Sequence, residues 1–168
     1  MTRLALGAAL LLAAAPAQAA TPEERLAASG FTLPAPPKPV ATYVTSVRTG
    51  KLLFLSGHGE CDSANAAKGR LGRDLTIEQG RKSAENVGLC MLATIKAATG
   101  NLARVKRFVR VLGMVNSAPE FGDQPTVING FSDLMVVAFG EGGKAPRSAV
   151  GMAALPFNTA VEIVELTD

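Results

Sequence analysis

The chain has no tryptophan and a single tyrosine, and aromatic residues make up only 5% of its 168 residues. Its core must therefore be built from aliphatic residues, alanine and methionine. Charge of one sign is also scarce, because 17 basic and 14 acidic residues leave a formal net charge of +3. Proteins that bind single-stranded nucleic acid combine a basic groove with aromatic stacking platforms. This composition provides neither, which argues against a nucleic-acid partner.

Cysteine and histidine are equally sparse, with two cysteines, Cys61 and Cys90, and one histidine, His58. Zinc sites use three or four such ligands at characteristic spacings, so the sequence predicts no metal site. Two cysteines allow one disulfide in an oxidising compartment. We expect Cys61 in a loop and Cys90 in a helix, and their spacing alone leaves the pairing open.

The first 19 residues have the organisation of a secretory signal peptide. A positive start at Arg3 precedes an apolar run over 4–15 and a small-x-small motif at 17–19. The run is too short to span a bilayer. We therefore expect cleavage after Ala19, which removes Arg3 and leaves a net charge of +2. The mature chain, residues 20–168, would be periplasmic or secreted, with no stable membrane association.

Residues 20–39 precede the main body of the predicted domain. Thr21 and Pro22, followed by two glutamates, favour a short helix that ends at Gly30. The proline-rich stretch 33–39 then predicts an extended strap over the surface.

The rest of the chain predicts one α/β domain in the order β-β-α-β-α-β-β. The expected elements are strands at 40–47 and 52–55, a helix at 76–99, a strand at 105–115, a helix from 123 to about 140, and two closing strands. Two long helices can cover one face of such a mixed sheet. The strands are too apolar for the other face to meet water, which predicts a homo-oligomer.

The closing stretch runs from Arg147 to Glu162, and we interpret it as a hairpin whose loop is 156–159. That hairpin would bring a guanidinium and a carboxylate together on an apolar surface. A guanidinium suits a substrate carboxylate, and a nearby carboxylate can orient or deprotonate water. The alternative is that Arg147 is an edge-strand charge and Glu162 its structural salt-bridge partner.

Between Tyr43 and Glu165 the chain carries an ordered set of short motifs. They are LFLSG at 53–57, EN at 85–86, VKR at 105–107, VIN at 127–129, and PRSAV, LP and VEI between 146 and 163. The set resembles the RidA/YjgF family of reactive-intermediate imine and enamine deaminases. The resemblance implies a chorismate-mutase-like fold and a homotrimer in which three sheets close a central barrel, with active sites in the clefts between subunits.

The resemblance also implies the chemistry, which is hydrolysis of 2-imino acids to 2-keto acids and ammonia without a metal or cofactor. Arg147 matches the arginine that holds the substrate carboxylate, and Glu162 matches the carboxylate that orients the water. The positions matching the substrate-binding cleft are Tyr43, Ser56, Gly57, Asn129 and Ala149. Two of these residues could instead have a purely structural role, Asn129 as a surface residue of a helix and Tyr43 as a packed aromatic residue of a strand.

Two departures from the family pattern bear on the site. Ala149 stands where many deaminases have a cysteine, so a thiol role is excluded and the backbone groups there are expected to do the polar work. His58 follows Gly57 where a glutamine is common. A histidine at a strand end can titrate near neutral pH or serve a structural role.

Three functions therefore compete. The first is a 2-imino acid deaminase that depends on Arg147 and Glu162. The second is a non-catalytic module of the same fold that binds a small carboxylate. The third is an endoribonuclease, an activity ascribed to some relatives, which the weak charge and few aromatics disfavour.

Overall fold

The computed structural model describes residues 19–168, so nearly all of the signal peptide expected at 1–19 lies outside the described residues. The elements in chain order are α1 Pro22–Ala28, β1 Ser46–Thr49, β2 Leu52–Leu55, α2 Ile77–Thr99, β3 Phe108–Asn116, α3 Gln124–Phe139, β4 Arg147–Met152 and β5 Val161–Thr167. The expected order β-β-α-β-α-β-β is confirmed, with α1 in front of it. Within these residues, no helix has the length and hydropathy needed to cross a bilayer.

Local sequence explains where the helices begin and end. Thr76 caps α2 in a capping box with Gln79, and Gly100 ends that helix in a left-handed conformation. The short helix α1 begins with the same device at Thr21. Asp123 occupies the N-cap position of α3, but its side chain makes no capping hydrogen bond.

The five strands form one mixed sheet in the order β1-β2-β5-β3-β4. The β1–β2 pair is the expected antiparallel hairpin, with Gly50 at φ 57° in its turn. Strand β5 is antiparallel to both β2 and β3, whereas β3 and β4 are parallel. β3 thus has a partner on each side, which is usual for a strand with a long apolar run.

The prediction that the closing stretch forms a hairpin is wrong. Strands β4 and β5 are consecutive in sequence, but β3 lies between them. Segment 153–160 crosses β3 and connects the two strands. Strand β5 takes an interior position in the sheet and places Val161 and Ile163 in the core. The more exposed β4, with Arg147 and Gly151, takes the edge. Sequential strands pair often but not always.

The first strand is also shorter than expected. β1 begins at Ser46 rather than at Val40, and Tyr43 precedes it in a bend where its N–H bonds the Ala41 carbonyl. Tyr43 is consequently a loop residue, with 43% of its surface exposed, rather than a packed strand aromatic.

The two long helices pack closely on each other as well as on the sheet. A side chain at Gly88 would meet Leu134 and Phe131 of α3, and one at Gly130 would collide with the Arg81 carbonyl. Gly88 in α2 and Gly130 in α3 therefore allow the two helices to approach closely. The opposite sheet face has no covering element among residues 19–168, and it presents Val47, Phe54, Leu112, Met114, Val150 and Val164.

Candidate functional site

A cleft of about 840 Å³ opens beside the junction of β2 and β5. Its lining includes four of the seven residues that the sequence indicated, namely Tyr43, Ser56, Gly57 and Glu162. The volume lies within the range of about 300–1,000 Å³ that is usual for small-molecule sites. The remaining three, Asn129, Arg147 and Ala149, lie elsewhere.

Glu162 is the only carboxylate of β5 that reaches this cleft. Strand alternation places Val161 and Ile163 in the core and Glu162 on the opposite face. Its carboxylate lies directly over Gly57, where any side chain would collide with it. Partial burial raises the pKa of the Glu162 carboxyl, and no hydrogen-bond donor among residues 19–168 opposes that shift. A half-buried, unpaired carboxylate of this kind suits the transfer of a proton from water.

His58 fixes the strand end beneath that carboxylate. Its backbone N–H and C=O both bond Ile163, at 2.9 and 3.0 Å. The ring Nδ1 lies 2.8 Å from the Ser56 carbonyl, which can only accept, so Nδ1 carries the proton. Nε2 then accepts from the Thr94 hydroxyl at 2.9 Å. Burial lowers the pKa of His58, and the hydrogen bond to the Ser56 carbonyl partly opposes this shift. The neutral ring therefore links the end of β2 to α2 through two hydrogen bonds.

A second polar group in the cleft has no partner. The hydroxyl Oγ of Ser56 is buried and makes no hydrogen bond with any of residues 19–168. A buried hydroxyl without a partner costs free energy unless a ligand or water completes it. Ser56 therefore has an unsatisfied donor and acceptor in the wall of the cleft that Glu162 also lines.

One wall of the cleft is cross-linked. Cys61 and Cys90 form a disulfide that joins the loop after β2 to the middle of α2, which resolves the pairing that the sequence left open. The adjacent Glu60 accepts hydrogen bonds from Ser83 and Asn86 of α2, both at 2.7 Å. The wall is thus held to α2 by one covalent and two polar contacts.

Arg147 lies at the other part of the predicted site, at the start of edge strand β4. Its guanidinium donates to Asn129 Oδ1 at 2.7 Å, Ser132 Oγ at 2.8 Å and the Pro125 carbonyl at 3.1 Å. All three acceptors are on α3 and all are neutral, so the positive charge is held in place without being compensated. Three of the five guanidinium N–H donors are used, which leaves two for a ligand.

Ala149 lies two residues further along β4, and its side chain packs towards the core. The Pro146 carbonyl accepts from Val111 of β3. Backbone groups alternate in direction along a strand, so those of Arg147 and Ala149 point away from β3, towards the open edge of the sheet. The Ala149 backbone groups therefore face the edge of the sheet rather than β3.

Arg147 and Glu162 do not meet within one chain. Glu162 is aligned with Met114 of β3 and Val150 of β4, three residues along from Arg147. Ordinary strand spacing and rise separate their Cα atoms by roughly 14 Å. Arg147 is aligned with core residue Val111, so its side chain is on the helix face, whereas Glu162 is on the opposite face. The alternative of a structural Arg147–Glu162 salt bridge is wrong.

We call the cleft with Glu162 and the Arg147 cluster on α3 the two half-sites. Sequence reasoning missed three residues that contribute to them. Ser132 shares the Arg147 guanidinium with Asn129, and their i, i+3 spacing on α3 was a usable signal. Thr94 holds His58 from 36 residues away, which no local pattern reveals. Phe157 lines the cleft from the β4–β5 connection. Among residues 19–168, no group of three metal-ligating side chains comes together.

Comparison with known families identifies the class of protein. Residues 23–167 match the family described as “YjgF/chorismate mutase-like, putative endoribonuclease”. The chain belongs to this YjgF/RidA family and has its mixed α/β chorismate-mutase-like fold.

The chain is similar to a curated protein and to two proteins of known structure. It is 41% identical over 141 residues to protein TCP17 of Trypanosoma cruzi, covering 83% of this chain and 88% of TCP17. The crystal structure of Atu1372 from Agrobacterium tumefaciens shares 41% identity, with a TM-score of 0.81 over 88% of this chain and 91% of that one. RidA from an Antarctic Psychrobacter shares 25% identity, with a TM-score of 0.55 over 79% of this chain and 92% of RidA.

Proposed function

We propose that the protein hydrolyses 2-imino acids to 2-keto acids and ammonia, at sites that form between the subunits of a homotrimer. The observation that carries this proposal is the Glu162 carboxylate, which is half-buried and unpaired over Gly57 in a cleft. The likeness to RidA and the family membership of the chain support the reaction type.

The reaction needs little beyond positioning. Water adds to C2 of the imine, which is already electrophilic when protonated, and gives a carbinolamine. Glu162 accepts one proton of the attacking water and transfers it to nitrogen. As the C–N bond breaks, the carbinolamine hydroxyl loses its remaining proton to Glu162, which passes it to the departing ammonia, so ammonium and a 2-keto acid leave. Arg147 binds the substrate carboxylate, and Ser56 offers its hydroxyl to the polar atoms of the substrate.

Shared sites explain why the two half-sites are separate. The open sheet face is apolar, β4 has a free edge, and Arg147 and Glu162 are on opposite faces. A neighbouring subunit that supplies the missing half would cover apolar surface and complete the site at once.

The test generates imines from amino acids with an amino-acid oxidase and traps the surviving imine with semicarbazide. We expect the wild type to suppress trapping and release ammonia. Glu162→Gln should lower kcat about 100-fold or more, and Arg147→Ala should raise KM about 10- to 100-fold. If the wild type binds 2-keto acids but turns over no imine, the protein is a binding module. Cleavage of labelled RNA that survives Glu162→Gln would favour the ribonuclease named in the family description.

Mixing the two variants tests the shared site. Refolding Arg147→Ala with Glu162→Gln should restore about a quarter of the wild-type activity, since random assembly leaves both groups intact at about one site in four. Refolding each variant alone is the control. No recovery in mixed trimers of confirmed mass would contradict sites built across subunits.

Export is part of the same proposal. The disulfide between Cys61 and Cys90 supports an oxidising compartment, as the signal-like sequence at 1–19 does. Fractionation of expressing cells and amino-terminal sequencing should find a periplasmic or secreted chain that begins at Ala20. A cytosolic chain that keeps Met1 would contradict export.

A further inference from the structure

Exposed side chains of two kinds line the cleft, the polar Lys38, Ser63 and Lys68 and a set of large apolar ones. Among residues 19–168, eight large hydrophobic side chains are exposed, and three of them line this cleft. They are Val40, Tyr43 and Phe157, exposed by 75, 43 and 76%. We call these three residues the apolar collar. Four of the other five are Val47, Phe54 and Val150 on the open sheet face and Val136 on α3.

The backbone around Phe157 is fixed by hydrogen bonds, so its exposed position is a defined feature of the structure. Phe157 and Asn158 both have left-handed backbone conformations, with φ of 56 and 59°. Such a conformation is an outlier for a bulky side chain and persists only where its surroundings enforce it. Here the Asn158 carbonyl accepts from Gly69 at 2.9 Å, and its side chain accepts from Asn116 at 3.0 Å.

The other side of the collar comes from the segment after the proline-rich strap. The Tyr43 hydroxyl accepts from the Val40 N–H at 3.5 Å, which keeps the two side chains in one short bend. Tyr43 and Phe157 are therefore brought to one cleft by segments more than 100 residues apart. An exposed apolar cluster that rims a cleft is typical of a ligand-binding surface.

The volume of the cleft points the same way. A single subunit offers about 840 Å³, which the Arg147 half from a neighbouring subunit and the substrate would share, and this lies in the range that holds drug-sized ligands. Glu162 and Ser56 require only the reacting carbon and its polar substituents. The collar has no polar task in that reaction, so it is free to contact the substrate side chain.

We propose that the apolar collar binds the side chain of the 2-imino acid, and that the preferred substrates carry a bulky apolar or aromatic side chain. This inference rests on the proposed function. It assigns Phe157 as a residue that determines specificity, whereas Glu162 and Arg147 act on groups that all 2-imino acids share.

The experiment compares imines generated from alanine, leucine and phenylalanine, using the same trapping assay. For the wild type, we expect kcat/KM for the phenylalanine-derived imine to exceed that for the alanine-derived imine by about 10-fold or more. Phe157→Gly should bring this ratio close to one. Glycine suits the left-handed backbone, so the variant should fold. Phe157→Leu should give an intermediate ratio, and the matched control Val136→Ala should keep the wild-type ratio.

The outcomes separate this inference from the proposed function. An enzyme that hydrolyses the alanine-derived imine at least as well as the larger ones, or whose ratio survives Phe157→Gly, is a deaminase whose collar does not select substrate. A change in solution mass caused by Phe157→Gly would make Phe157 a subunit contact and overturn the inference. If no imine is hydrolysed, the affinities for 2-keto acids test the inference instead. Calorimetry that shows no preference for phenylpyruvate over pyruvate would then overturn it.

Discussion

The two half-sites of this protein are prepared in opposite ways. The Arg147 guanidinium is held by three acceptors from α3, all of them neutral. The Glu162 carboxylate has no donor from residues 19–168 and depends only on the shape of the cleft floor at Gly57. One half is fixed by hydrogen bonds, and the other by the absence of a side chain.

This difference suits the two tasks that we propose. An anchor for a carboxylate must keep its charge and its direction, and neutral acceptors fix direction without cancelling charge. A group that takes and returns a proton must not be stabilised in its ionised form, because hydrogen bonds to a carboxylate lower its pKa. The comparison therefore predicts that the two halves fail differently when their supports are removed.

The largest effect is expected on the Glu162 half. Gly57→Ala places a methyl group where the carboxylate lies, so Glu162 must swing away. Because the obstacle is the end of a flexible side chain, we expect the fold to survive and kcat to fall on the order of 100-fold. Imine hydrolysis and thermal unfolding measure the two effects. Gly122→Ala is the matched control, since nothing lies within 4 Å of that position. Equal losses in both variants would mean that Gly57 has no special relation to Glu162.

A smaller loss is expected on the Arg147 half. Asn129→Ala removes the 2.7 Å hydrogen bond to the guanidinium but leaves the bonds to Ser132 and Pro125. We expect KM to rise about 10-fold with little change in kcat, because a charge-assisted hydrogen bond contributes about 1.5–3 kcal/mol. Adding Ser132→Ala should raise KM further. Thr126→Ala, an exposed change on the same helix, is the control. A fall in kcat at constant KM would contradict an anchoring role.

The pH dependence separates Glu162 from its neighbour His58. Glu162 must be ionised to accept a proton, and its pKa is raised by burial. Activity should therefore be lost as pH falls, with a midpoint above the usual glutamate value of about 4.3. His58→Gln keeps one donor for the Ser56 carbonyl and one acceptor for Thr94, so kcat should change only a few-fold and the midpoint should stay. A midpoint that moves in His58→Gln would assign the titration to the histidine.

The sequence predicted the elements well and their adjacency less well. Capping residues such as Thr76 and the terminating Gly100 are local signals, and they marked α2 to within a residue. The partner of β4 is not a local property, because it depends on which strand best fills the interior of the sheet. The sequence indicated Arg147 and Glu162 as the candidate reacting groups, but their separation follows from the insertion of β3 between β4 and β5.

Contacts over long sequence distances explain the rest of what the sequence did not reveal. The Thr94–His58 hydrogen bond and the Cys61–Cys90 disulfide both join α2 to the segment after β2. Phe157 gained its place from two left-handed residues and their tertiary partners, whereas its sequence context indicated only a loop. Of the residues matched through the family resemblance, Ser56 and Gly57 line the cleft, where the backbone at the end of β2 positions them.

The second acid of β5 is expected to affect stability rather than activity. Glu165 is on the helix face, 2% exposed, and neither carboxyl oxygen has a partner among residues 19–168. Burial raises its pKa well above the usual value, so the folded state holds a proton that the unfolded chain releases above about pH 4.3. The free energy of unfolding should therefore fall as pH rises from about 4.3, by at most about 1.4 kcal/mol per pH unit from this group. Glu165→Gln should remove that slope in thermal melts from pH 5 to 8, whereas Glu162→Gln, which alters a half-buried group, should remove less. A wild-type slope that persists in Glu165→Gln would mean that another group titrates or that Glu165 is ionised in the folded protein.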